Sequence, residues 1–107
     1  MTALPTITCD ELKQRLDAGD KPFILDVREP EEYETCNLGG TLIPLEQLGG
    51  RLTELPRDRE IIVHCKAGGR SARAVELLRQ KGFKNAKNLD GGIMEWRSRI
   101  DSSLQAY

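Results

Sequence analysis

A single histidine, three cysteines and no Cys-x-x-C pair leave the chain without the ligand clusters of a zinc site, and no metal is expected. Cys9, Cys36 and Cys65 are too few and too widely spaced for a disulfide framework, which fits a reduced compartment. No apolar run approaches the roughly 20 residues of a membrane span, and residues 1–8 lack the basic and apolar regions of a secretory signal. No membrane partner is therefore expected, and the cytoplasm is the expected location. A formal net charge of only -1 leaves no broad electrostatic footprint for nucleic acid. No Gly-rich phosphate loop, internal repeat or linker is present, and no cofactor is expected.

What the chain does have is 107 residues with 38% hydrophobic content, enough for one folded domain over residues 1–107 with a loosely ordered tail at 101–107. Its charges are mixed but locally sorted. Asp26, Glu29, Glu31, Glu32 and Glu34 fall in one stretch, and Arg70, Arg73, Arg79, Lys81, Lys84 and Lys87 in another, mostly as solvated helix faces.

Thr8-Cys9-Asp10-Glu11 is a capping-box pattern, and Leu12 and Leu16 continue it at helical spacing until Gly19. Residues 23–27 form a short apolar run that reads as a buried strand delivering Asp26 and Arg28 at its carboxyl end. A helical turn over residues 30–34, a brief strand at 42–44 and a short helix at 45–52 follow. Residues 61–64 are a continuous β-favouring run, residues 71–81 an amphipathic helix ending at Gly82, and residues 86–89 a last strand. Gly91-Gly92 then leads into a helix containing Met94, Trp96 and Ile100, with Trp96 read as core. This alternation predicts an α/β fold with a mostly parallel sheet covered on both faces and active groups at the carboxyl ends of strands.

Cys65 stands at such an end. Cys65-Lys66-Ala67-Gly68-Gly69-Arg70-Ser71 joins a buried strand to a helix, so successive backbone N–H groups can converge on its sulfur. The helix amino terminus, Lys66 and Arg70 should then lower the thiol from about 8.5 toward the range of roughly 3.5 to 7.5, giving a nucleophilic thiolate. Gly68 and Gly69 permit the tight turn, and Ser71 reads as a cap or loop brace. Cys9 and Cys36 lack this setting, although Cys36 could act as a resolving thiol if close. His64 points to the face opposite Cys65 and reads as a packed histidine.

Strand, Cys65-x-x-x-x-Arg70-Ser71, helix resembles the active-site loop of rhodanese-like domains. Asp26-Val27-Arg28-x-x-x-Glu32-Tyr33 and Asn88-Leu89-x-Gly91-Gly92-x-x-x-Trp96 resemble the family's other two signatures, so the likeness spans nearly the whole chain. One departure is Cys36-Asn37-Leu38 where many members carry Gly-His-Ile. The resemblance implies a rhodanese-like fold with a central, mostly parallel five-stranded sheet. It also implies a ping-pong sulfurtransferase in which Cys65 carries sulfane sulfur as a persulfide held by the 66–71 loop. Arg70 would bind the anionic part of a donor or acceptor, Lys66 would be a weaker candidate for that task, and Asp26 and Arg28 would support the site. Related phosphatases and arsenate reductases place five residues between Cys and Arg, whereas this chain has four, which suits a pocket for one added sulfur.

The longer run from Asp26 to Leu45, with the Cys65 loop and Asp101-x-x-Leu104-x-x-Tyr107, is similar to the carboxyl-terminal rhodanese domain of adenylyltransferase and sulfurtransferase fusion proteins. That likeness implies a sulfur donor, thiosulfate or a cysteine desulfurase, and a ubiquitin-like sulfur carrier as acceptor for molybdopterin, thiamine or tRNA thiolation. A separate adenylating enzyme would then be needed. The alternatives are a non-catalytic rhodanese-type interaction module, against which Cys65 stands, and a phosphatase or arsenate reductase, against which the loop length stands.

Overall fold

The computed structural model describes residues 4–107; residues 1–3, part of the stretch read for a secretory signal, lie outside the described residues. Among the described residues five strands, β1 (Thr6–Ile7), β2 (Phe23–Asp26), β3 (Thr41–Leu42), β4 (Ile61–His64) and β5 (Ala86–Leu89), form one sheet in the order β1-β5-β4-β2-β3. Every pairing is parallel, with Asp26 of β2 beside His64 of β4. β1 is the strand that periodicity did not reveal, because two residues are too short to show any. It is held by pairing Thr6 with Asn88 and Ile7 with Leu89.

The helices are α1 (Cys9–Asp17), α2 (Pro30–Thr35), α3 (Leu45–Leu48), α4 (Gly69–Gln80) and α5 (Gly92–Arg99). At α1 the Thr8 side chain accepts from the Glu11 N–H at 3.0 Å while the Thr8 N–H donates to the Glu11 carboxylate, as the capping-box pattern requires. The helix expected over 45–52 is instead split: α3 stops at Gly49-Gly50 and a 3-10 turn covers Leu52–Glu54. Two glycines in succession cost more backbone entropy than a single short helix recovers.

Alternate residues of the buried strands face two cores. Leu25, Val27, Ile61 and Val63 pack with Leu48 of α3 and Ala74, Val75 and Leu78 of α4. Ile62 and Leu89 pack on the other face with Cys9 and Leu12 of α1 and Trp96 of α5. Parallel strands covered on both sides bring their carboxyl ends to one edge, where β2 and β4 deliver Asp26, Arg28 and Cys65. Residues 101–107, read from the sequence as a loose tail, return to that edge. Leu104 packs against the second core, the Arg97 side chain donates to the Leu104 carbonyl at 2.7 Å, and the Tyr107 hydroxyl meets Arg28.

Candidate active site

Cys65 directly follows β4 and is 1% exposed. Its Sγ accepts from the Gly68 N–H at 3.1 Å and the Ser71 N–H at 3.4 Å, and the Ser71 hydroxyl lies 3.3 Å away. Gly68 makes this possible by turning the chain at φ +113°, a conformation side chains disfavour, immediately before α4 begins. The helix thus starts at Gly69 rather than at Ser71, so its first turn lies inside the loop. Burial pushes the Cys65 thiol up, but the side-chain contact with Ser71 and hydrogen bonds from the Ser71, Gly68 and Ala67 N–H groups outweigh it, leaving the thiol below its ordinary value. The leading lowering contributions are therefore the loop's own donors, rather than the Lys66 and Arg70 charges that the sequence suggested.

The loop is braced from beneath. The Ile93 N–H donates to the Cys65 carbonyl at 2.9 Å and the Met94 N–H to the Lys66 carbonyl at 3.1 Å, so the start of α5 takes up the carbonyls and leaves the opposite side of the loop to its N–H groups. Asn88 of β5 donates from Nδ2 to the Gly68 carbonyl at 3.2 Å and accepts the Ser71 hydroxyl at 2.5 Å. Asn88 belonged to a recognised motif but not to the expected site; only the packing of β5 against the loop shows its part.

Arg70 does not stand open as the sequence implied. Its guanidinium donates to both oxygens of Glu32, at 2.7 and 2.9 Å. Hydrogen bonds from Arg70, then the Glu29 N–H and the Tyr107 hydroxyl, overcome burial and hold the Glu32 carboxyl down at about 2. The Lys66 ammonium lies 4.5 Å from the centre of the Tyr107 ring, a cation–π contact. Neither Glu32 nor Tyr107 was singled out as a site residue from the sequence.

Asp26 and Arg28 are both fully buried and paired, with Nε to Oδ1 at 2.9 Å and Nη2 to Oδ2 at 2.7 Å. Arg28 also donates to the Cys36 carbonyl at 2.7 Å and the Glu32 carbonyl at 3.3 Å, tying α2 to the sheet beside the Cys65 loop. His64 is buried on the opposite face from Cys65, with Nε2 at 3.6 Å from Asp26, and burial holds it below its ordinary value. All three cysteines are free. Beside the loop lies a cleft of about 520 Å³ lined by Val27, Glu29, Leu45, Glu46, Arg70 and Arg73.

The thiol chemistry is directly measurable. Alkylation of Cys65 by iodoacetamide, followed against pH, should level off below the ordinary thiol value. In Ser71→Ala, which removes the hydroxyl that Asn88 holds 3.3 Å from Sγ, the midpoint should move up by about one unit. An unmoved midpoint would show that the backbone donors alone set it. Cys9, pushed up to about 11 chiefly by burial and then by Glu95, should stay unlabelled at neutral pH.

A family model described as a rhodanese-like domain matches residues 8–99. The probable adenylyltransferase/sulfurtransferase MoeZ of Mycobacterium tuberculosis is 39% identical over 105 residues, covering 95% of this chain and 27% of that protein, so the chain spans about a quarter of that relative's length. A protein named sulfurtransferase from Allochromatium vinosum is 33% identical over 91 residues, covering 84% of this chain and 85% of that one. Among solved structures, a rhodanese-like domain protein from Staphylococcus aureus superposes with a TM-score of 0.82 at 31% identity, covering 97% of this chain and 99% of that one.

Proposed function

The chain belongs to the rhodanese-like domain family, and from that premise we propose that it is a sulfurtransferase that carries sulfane sulfur as a persulfide on Cys65. The observation that carries this reading is the buried thiol at the centre of converging N–H donors, Gly68 at 3.1 Å and Ser71 at 3.4 Å, with the Ser71 hydroxyl 3.3 Å away. Such a cradle stabilises a thiolate before reaction and a persulfide anion after it.

In the first half-reaction Cys65 Sγ attacks the outer sulfur of a donor. A new S–S bond forms, the donor's own bond to that sulfur breaks, and the remainder leaves with the electron pair. In the second, a nucleophilic acceptor such as a thiol or cyanide takes the outer sulfur and restores the Cys65 thiolate. With an adenylated carboxylate the persulfide's outer sulfur instead attacks the acyl carbon and AMP leaves, and a thiol then takes Cys65 Sγ into a disulfide and frees the thiocarboxylate. The donor is thiosulfate or a cysteine desulfurase. Relatives whose names join adenylyl and sulfur transfer support a ubiquitin-like sulfur carrier, adenylated by another enzyme, as acceptor in molybdopterin, thiamine or tRNA thiolation. Free cysteines fit a reducing compartment such as the cytoplasm. The spacing of four residues between Cys65 and Arg70 supports sulfur over phosphate as the group bound.

Incubation with thiosulfate, or with a cysteine desulfurase and cysteine, should add one sulfur atom to the intact mass. Cyanide should remove it, and Cys65→Ala should never acquire it. Folded wild-type protein that gains no sulfur from either donor would sink the proposal and favour a binding module.

A further inference from the structure

The Glu32 carboxylate has no spare capacity for a role in solution. Oε1 accepts from the Glu29 N–H at 3.0 Å and Arg70 Nη1 at 2.7 Å, while Oε2 accepts from Arg70 Nη2 at 2.9 Å and the Tyr107 hydroxyl at 2.8 Å. Tyr107 is itself fixed, because its oxygen accepts from Arg28 Nη1 at 2.8 Å, and Arg28 is anchored on buried Asp26. A continuous chain of hydrogen bonds therefore runs from the sheet to the Arg70 guanidinium. The Glu32 side chain is 18% exposed, so its pair with Arg70 is shielded more than an ordinary surface pair. The two-pronged contact uses the same fork that an anionic substrate would need. The other loop cation, Lys66, is drawn over the Tyr107 ring.

We propose that Glu32 is a specificity-determining residue: by occupying the Arg70 fork it makes the site favour a donor whose sulfane sulfur is carried on an organic thiol, a persulfide, over a small inorganic dianion. This rests on the sulfurtransferase reading. Attack on thiosulfate brings a thiolate against a dianion and releases sulfite, so local cationic charge must offset the repulsion, and Glu32 offsets the charge of Arg70, the guanidinium carried by the Cys65 loop. Attack on a protonated persulfide, Cys65–S⁻ with R–S–S–H, breaks the R–S to S bond, expels R–S⁻ and yields Cys65–S–S–H. It brings no second anion to the thiolate and needs no guanidinium.

The test is kinetic and uses the whole chain. Glu32→Gln keeps the shape and removes the charge, and should lower the KM for thiosulfate about tenfold, about 1.4 kcal/mol, with a smaller change in kcat. The ratio of kcat/KM for thiosulfate to that for an alkyl persulfide should rise in step. Independently of sulfur transfer, the ratio of Cys65 alkylation rates by iodoacetate and by iodoacetamide should rise, since only iodoacetate is an anion. Tyr107→Phe, which removes one of the hydrogen bonds to Glu32 and keeps the ring near Lys66, should move both ratios the same way by a smaller factor. It also serves if Glu32→Gln does not fold, as thermal unfolding would show. A wild-type chain that loads from neither donor overturns the sulfurtransferase reading. In a chain that does load, an unchanged alkylation ratio, or an unchanged or higher thiosulfate KM, overturns this inference alone and leaves Glu32 as a brace for Arg70.

Discussion

Replacing Arg28 by methionine should destabilise the chain by about 3–5 kcal/mol, the effect of breaking a buried ion pair by removing one partner. Against a typical total of about 5–15 kcal/mol, that is enough to leave part of the population unfolded. The substitution keeps most of the volume, so the loss comes from charge and hydrogen bonding. Asp26, with no exposed surface, would lose the guanidinium that donates to it at 2.7, 2.9 and 3.2 Å. Its remaining contact with this residue would be the backbone N–H of position 28 at 3.0 Å. The Cys36 and Glu32 carbonyls and the Tyr107 hydroxyl would each lose a donor as well. Urea unfolding should show a lower midpoint with the same slope. Pairing Arg28→Met with Asp26→Asn should recover part of the loss, since the stranded charge is then gone. A shift below about 1 kcal/mol in the single variant would mean that water or a neighbouring group compensates Asp26, and would remove Arg28 as the anchor of the Tyr107 to Arg70 chain.

Replacing Gly92 by alanine should leave most of the fold and disable the Cys65 loop. A Cβ at this position would stand 2.5 Å from the Lys66 carbonyl oxygen, 2.6 Å from its carbon and 2.7 Å from the Cys65 oxygen, all backbone atoms that cannot swing aside. The residue also has φ +66°, which costs a side chain about 1–2 kcal/mol. The strain is relieved by parting α5 from the loop, which breaks the Ile93 and Met94 N–H bonds to Cys65 and Lys66. The donors then lose their aim at Sγ. A misplacement of about 1 Å lowers a rate by about 100-fold, so persulfide loading should fall by about that factor, and the pH midpoint of Cys65 alkylation should rise. Gly49→Ala is the control, since nothing lies within 4 Å of its Cβ and its φ of -59° is helical. Loading by Gly92→Ala at the wild-type rate would mean that the cradle does not depend on α5.

The alternation of strands and helices, the capping box at Thr8 and the Cys65 loop can all be read in the order of residues along the chain. Each is a local pattern, in which residues a few positions apart set backbone geometry and burial. The loop was legible because a cysteine between a β-favouring run and an amphipathic helix, with Gly68 and Gly69 beside it, leaves few other conformations. What surrounds that loop is set by the fold. Arg70 meets Glu32 across 38 positions, Ser71 meets Asn88 across 17, and Tyr107 meets Glu32 across 75. Such partners come together only when the parallel order β1-β5-β4-β2-β3 gathers the strand ends. From the sequence Arg70 is a cation awaiting an anion, whereas in the folded chain it already holds one. Pairing of charges depends on distance through space, and no local rule places residue 32 beside residue 70.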